Sequence, residues 1–150
     1  MKGALNVANV YDVAKYILSK TDRISTWKLQ KLCYYSQAWT IAWDGAPLFN
    51  EEFEAWANGP VCRELFNCQK GKFSVGTSDL SKGNIRNLTP EQKDNIDIVI
   101  RDYGGMSPYE LRELTHSETP WINARAGLPE GVPSDNVISK GDMSDYYGGL

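Results

Sequence analysis

The apolar positions of residues 10–43 fall into two stretches with the 3.6-residue period of a helix. In the first, Val10, Val13, Ala14, Ile17 and Leu18 share a face behind Asn9, a residue suited to N-capping, which predicts an amphipathic helix ending near Thr21. The second starts at Ser25 or Thr26 and runs to about Trp43, where Asp44-Gly45 stops it. Leu29, Leu32, Cys33 and Ser36 line one stripe of it, and Tyr35, Ala38, Trp39 and Ala42 add another. A helix apolar over so much of its circumference needs neighbours on several sides, so it is expected at the centre of the fold.

From Glu52 to Ala57 the period drops to two. Phe53, Ala55 and Ala57 fall on one side and Glu52, Glu54 and Trp56 on the other, the pattern of a half-exposed strand. Asn58-Gly59-Pro60-Val61 reads as a turn into a short helix, with Gly59 as a permissive cap, Pro60 at the first helical position, and Val61 and Leu65 facing inward. Residues 71–87 are polar and glycine-containing, a loop or an irregular hairpin partner for the strand. The last third is marked by helix starts. Thr89-Pro90-Glu91-Gln92 is a capping box leading Ile96, Val99, Ile100 and Tyr103 to a Gly104-Gly105 stop, and Ser107-Pro108-Tyr109-Glu110 repeats that start ahead of Leu111 and Leu114. Thr119-Pro120 opens a third helix that runs through Trp121 to Gly127, and Ser139–Tyr147 forms a last one after a Pro/Gly-rich link. The fold class expected is mainly α: a compact helical domain around a long central helix with a small β-hairpin or short sheet. One domain is expected over residues 10–147, with a short lead at 1–9 and a tail at 148–150.

Charge changes this picture little. Lys and Arg outnumber Asp and Glu six to two in residues 1–35, and are outnumbered seventeen to ten after them, for a formal net charge of -3. An acidic balance is a poor footprint for phosphate contacts, so direct nucleic-acid binding is not expected. Cys33, Cys62 and Cys68 cannot all pair with one another and lack zinc-knuckle spacing, which points to reduced thiols in the cytoplasm. No segment approaches the ~20 apolar residues of a membrane span, and no secretory leader is visible.

Two segments read together carry a family resemblance: Lys28-Leu29-Gln30-Lys31-Leu32-Cys33-Tyr34-Tyr35-Ser36-Gln37-Ala38-Trp39 and Phe53-Glu54-Ala55-Trp56-Ala57-Asn58-Gly59-Pro60-Val61. They are followed by Tyr103-Gly104, Ser107 with Glu110-Leu111, and Leu114-Thr115-His116-Ser117-Glu118-Thr119-Pro120-Trp121. In this order the segments resemble the Panacea domain, the antitoxin module of SocA-like toxin–antitoxin pairs, over roughly Val10 to Tyr147. The resemblance implies a mostly helical domain that neutralises a toxin encoded beside it, often in a phage, prophage or other mobile element. It leaves the toxin unnamed, because members meet different toxins, and it leaves masking of the toxin and delivery to a protease both open. Some members carry a DNA-binding extension. Only a few residues precede the first helix here, so operator binding is not expected.

Lys28, Gln30, Lys31, Tyr35, Trp39 and Trp56 are the candidate partner-binding residues, the first three because they are polar positions that packing does not require. Asn58, Gly59, Pro60, Val61, His116, Pro120 and Trp121 read as motif residues that set turns and fill space. Other function classes remain open: a Cys/His-dependent enzyme pairing His116, the single histidine, with Cys62 or Cys33; a proteolytic adaptor; and a transcriptional regulator. No catalytic residue, metal or cofactor is proposed. Glu52 and Glu54 are read as the solvated face of the strand, and the glycine pairs lack the Lys and Ser/Thr context of a phosphate loop.

Overall fold

A computed structural model describes residues 8–150. The expected N-terminal lead over residues 1–9 therefore lies mostly outside the described residues. Helix α1 spans Val10–Lys20 and α2 Thr26–Asp44. Their caps are those the sequence indicates: Asn9 accepts from the Asp12 amide, Ser25 accepts from the Lys28 amide, and Gly45 ends α2 at φ 72°. Next come strands β2 (Phe53–Trp56) and β3 (Gly59–Val61), and helix α3 (Arg63–Cys68). Helices α4 (Pro90–Tyr103), α5 (Pro108–His116), α6 (Thr119–Arg125) and α7 (Lys140–Gly148) complete the helical set. Both α4 and α5 start with a full capping box, Thr89 with Gln92 and Ser107 with Glu110. The class is mainly α with a small sheet, and α2 is the centre: α1, α4, α5, α7 and β3 all pack on it. Among the described residues no helix is long and apolar enough to cross a membrane.

Because α2 is enclosed, its polar side chains are buried with it and must be satisfied inside the fold. Gln37 accepts from the Leu48 amide at 2.7 Å and donates to the Phe49 carbonyl at 2.7 Å. Two turns earlier, Gln30 accepts from the Cys62 amide at 2.8 Å and donates to the Cys62 carbonyl at 3.1 Å. Each side-chain amide thus bonds backbone in both directions, as a neighbouring strand would. The two fasten the chain on either side of the β2–β3 hairpin to a single helix.

The Asn58-Gly59-Pro60-Val61 segment differs from the sequence reading. Gly59–Val61 is a strand antiparallel to β2, with Trp56 opposite Gly59 and Ala55 opposite Pro60, and the helix starts only at Arg63. Gly59 has φ 114°, a value L side chains rarely adopt, and it closes the turn at Ala57-Asn58. Pro60 is tolerated because β3 is an edge of its three-stranded sheet, with β2 in the middle, and its missing N–H costs no ladder bond there. The other edge, β5 (Val137–Ile138), comes from the Pro/Gly-rich link and pairs Ile138 with Phe53. The polar stretch at 71–87 does not pair with β2. Its β4 (Ser74–Val75) joins β1 (Ile24–Ser25) just ahead of α2. The rest of that stretch is tied down by the buried Asp12 carboxylate, which accepts from the Asn84 amide at 2.8 Å and from the Asn87 side chain at 3.2 Å. Helix α6 opens at Thr119-Pro120 as expected, directly behind Glu118, and it ends at Ala126 with φ 52°.

Two substitutions test this arrangement. Gln37→Leu keeps the volume but strands three backbone groups, the Leu48 and Phe49 amides and the Phe49 carbonyl, and is expected to lower stability by about 2–4 kcal/mol, read by urea denaturation. Gly59→Ala would place a Cβ 2.5 Å from Lys31 Cε on a backbone closed to alanine; a loss of about 1–3 kcal/mol is expected, only partly relieved by adding Lys31→Ala.

Candidate partner-binding face

The Ala57-Asn58 turn stands between two hollows, and Asn58 lines both. On one side is a pocket of about 190 Å³ formed by Trp27 and Lys31 of α2, Asn58, and Pro108, Tyr109 and Arg112 of α5. On the other is an open groove of about 530 Å³ formed by Trp56, Ala57, Arg63 and the 133–135 segment. The turn is held from beneath by α6: Trp121 Nε1 donates to the Trp56 carbonyl at 3.0 Å, and the Arg125 guanidinium donates to the carbonyls of Ala55, Pro129 and Val132. Arg125 also lies over the Trp121 ring, at 4.8 Å from its centroid. A buried arginine used this way fixes the 126–136 loop against the hairpin and so shapes the groove.

Within the groove, Trp56 is half-buried, its Nε1 donating to Glu54 at 2.8 Å, with the Arg63 guanidinium over its ring at 5.3 Å. Arg63 pairs with the same carboxylate at 2.8 Å. Burial pushes the Glu54 carboxyl up, but the hydrogen bonds from Arg63 and Trp56 outweigh it and hold the group below its usual range. Glu54 is thus an orienting group for Trp56 and only partly a solvated face. Across the turn, Tyr109 is 67% exposed, an aromatic ring presented at the rim of the smaller pocket.

The six residues named from the sequence fall in different places. Lys31 and Trp56 line the two hollows beside Asn58. Lys28 is half-buried, with Nζ donating to the Gly104 carbonyl at 2.6 Å. Trp39 is half-buried, donating to the Tyr103 hydroxyl at 2.9 Å. Tyr35 is fully buried, stacked 4.0 Å from Tyr103 and donating to Glu118 at 2.7 Å. Gln30 is buried on Cys62. Gln30 and Lys31, read as polar positions outside the packed stripes, are both interior, because β3 and α5 cover the side of α2 left over by the apolar ones. Trp27, Tyr109 and Arg112 join this face from outside the expected contact residues. Tyr109 carried a signal nonetheless, since it lies off the Leu111 stripe of its helix.

Of the motif residues, Val61, Pro120 and Trp121 are buried, and His116 stacks on Trp121 at 3.9 Å with Nδ1 2.8 Å from Glu130. Burial keeps the His116 imidazole below its usual pKa despite that carboxylate. The thiols move the other way. Burial pushes Cys62 up to about 12 and Cys33 well above its ordinary value, whereas a nucleophilic cysteine needs a lowered one. The Cys62 thiol donates to Glu64, at 3.5 Å, and not to an imidazole. Among the described residues no three His, Cys, Asp or Glu side chains gather into a metal-binding group.

Comparison with known proteins fits this layout. The family described as "Antitoxin SocA-like, Panacea domain" matches residues 29–122, a span running from α2 into α6 that holds the hairpin and most of both hollows. A curated relative, Antitoxin SocA of Caulobacter vibrioides (strain NA1000 / CB15N), is 32% identical over 109 residues, which is 65% of this chain and 58% of the relative. The chain thus spans less than two thirds of that relative's length. No solved structure matches it. With the family match extending over more than half of its length, the chain belongs to the SocA-like antitoxin family and carries its Panacea domain.

Proposed function

We propose that this chain, through a domain spanning residues 10–147, binds and neutralises a toxin encoded beside it, on a phage or other mobile element. The observation that carries this reading is the family match itself, joined to a relative named as an antitoxin. The structure adds support of a physical kind. The hairpin face presents Trp56 and Tyr109 on a backbone fixed by buried hydrogen bonds, so little ordering entropy is lost when a partner docks on it. Trp, Tyr and Arg anchors dominate the energetics of such interfaces, and Trp56, Tyr109, Arg63 and Arg112 stand within one face. The three unpaired thiols suit the cytoplasm, where such a toxin would act.

The first test expresses the adjacent reading frame alone and together with this chain. Arrested growth from the neighbour alone, relieved by co-expression and accompanied by a co-purifying complex, is the expected result. A harmless neighbour that forms no complex would sink the proposal. Within a complex so obtained, Tyr109→Ala is expected to weaken binding by about 30-fold, the size of an interface anchor, while leaving the melting temperature of the free chain unchanged because the ring is exposed. Titration calorimetry and a thermal melt read the two quantities separately.

A further inference from the structure

Among the polar side chains buried along α2, Lys31 is answered by an aromatic face, the Trp27 ring, and by no acidic group. It is 1% exposed, and its ammonium, at the floor of an open pocket, pairs with no carboxylate among the described residues. Its stem runs so close to the hairpin that a Cβ on Gly59 would lie 2.5 Å from Cε and 3.2 Å from Nζ, and the Nζ lies 5.3 Å from the centroid of the Trp27 ring. The side chain is therefore held in place by a glycine that makes room for it and an indole beside it. It lines the 190 Å³ pocket together with a second cation, Arg112. Arg112 already has an acid, Glu113, and its Nε donates to Asn58 at 3.3 Å. The lining thus carries two cations and no carboxylate, in a chain whose net charge is -3, with Trp27, Pro108 and Tyr109 as apolar walls. An ammonium desolvated without a partner is destabilising. Burial, with Arg112 close by, accordingly brings Lys31 down to about 7.

We propose that this pocket receives the carboxylate of an Asp or Glu side chain of the partner toxin, with Lys31 as its ion-pair partner and Trp27 and Tyr109 flanking its methylene stem. The inference rests on the toxin-binding reading above. Lys31 is the cation of the lining without an acidic partner, since Arg112 is paired with Glu113, and the apolar walls suit an aliphatic stem better than a free phosphate. The Lys31 side chain is already largely desolvated before the partner arrives, so a carboxylate that fills the pocket and displaces its water meets a charge that is screened little.

The test uses Lys31→Met, which keeps the stem and removes the charge. The free variant is expected to melt no lower than wild type, and its complex with the neighbouring gene product to weaken about 30-fold or more. An acidic scan of the toxin, each Asp to Asn and each Glu to Gln, is expected to find one position whose loss is not additive with Lys31→Met. A folded variant that binds as wild type does, or additivity at every acidic position, overturns the proposal. If the variant does not fold, the carbon-13 signal of Lys31 Cε in the wild-type chain decides: it shifts when the toxin binds, and an unmoved signal overturns the proposal. If the wild-type chain binds no neighbour, the toxin-binding reading fails by itself. The pocket is then titrated with glutarate and with inorganic phosphate at the same Cε signal. Saturation by glutarate upholds a carboxylate site, whereas no shift, or tighter saturation by phosphate, rejects it.

Discussion

The enclosure of α2 is the constraint from which the rest of the structure follows. A helix covered on nearly every side cannot leave a polar side chain to water, so each one must find a backbone or side-chain partner in whatever packs against it. Gln30 and Gln37 meet that demand by bonding backbone in both directions on Cys62 and on Leu48 and Phe49. The net gain from making such bonds is modest, about 1 kcal/mol each, but the cost of leaving their partners unmet is larger. This asymmetry makes the two glutamines specifiers of geometry. They hold the chain entering and leaving the hairpin at fixed points seven residues apart on one helix, and the hairpin turn is what the protein shows to its surroundings.

A second polar cluster on α2 joins the far side of the fold. Glu118, buried just ahead of α6, accepts from the hydroxyls of Tyr35 and Tyr147, each at 2.7 Å, and Tyr147 also approaches the Tyr34 hydroxyl at 3.2 Å. Burial raises the Glu118 carboxyl, and the two phenols partly offset this by stabilising its charged form. The same burial, with Glu118 nearby, raises both phenols, so they remain donors at any ordinary pH. Tyr147 lies on α7, beyond the segment that matches the family. The last helix is therefore an integral part of the core, bound to α2 by aromatic contacts and to α6 by a shared carboxylate.

What could be read in the sequence was local. Asn9, Ser25, Thr89, Ser107 and Ser139 cap helices where their spacing places them, because a capping residue and the amide it accepts from lie within one turn. The misreadings share one cause, a partner distant in the chain. Asn58-Gly59-Pro60 has the chemistry of a helix start, and it is a hairpin because β2 supplies a ladder and Gln30 a clamp. Val137-Ile138 is too short to show a period, and it is a strand because Phe53 and Glu54 lie beside it. The face beside the hairpin was legible in Trp56 and Lys31. Tyr109 and Arg112 could be assigned to it only once α5 was seen to pack on β3.

Lys31 is where the rule set by α2 breaks. Ser36 bonds the Leu32 carbonyl, Thr40 meets Asn95, and the glutamines bond backbone, so every other buried polar group named on the helix is answered. A lysine kept buried without an anion to pair with lowers stability, and a Met or Leu would fill the same space without that cost. The lysine stem packs directly against the hairpin at Gly59, where a Cβ would lie 2.5 Å from Cε and where φ 114° already disfavours a side chain. A fold whose local choices otherwise agree tends to violate its own packing logic at functional sites. Both the unmet charge and the glycine that accommodates it border the one turn that separates the two hollows of the exposed face. The exception and the surface thus coincide, and a stability argument alone accounts for neither.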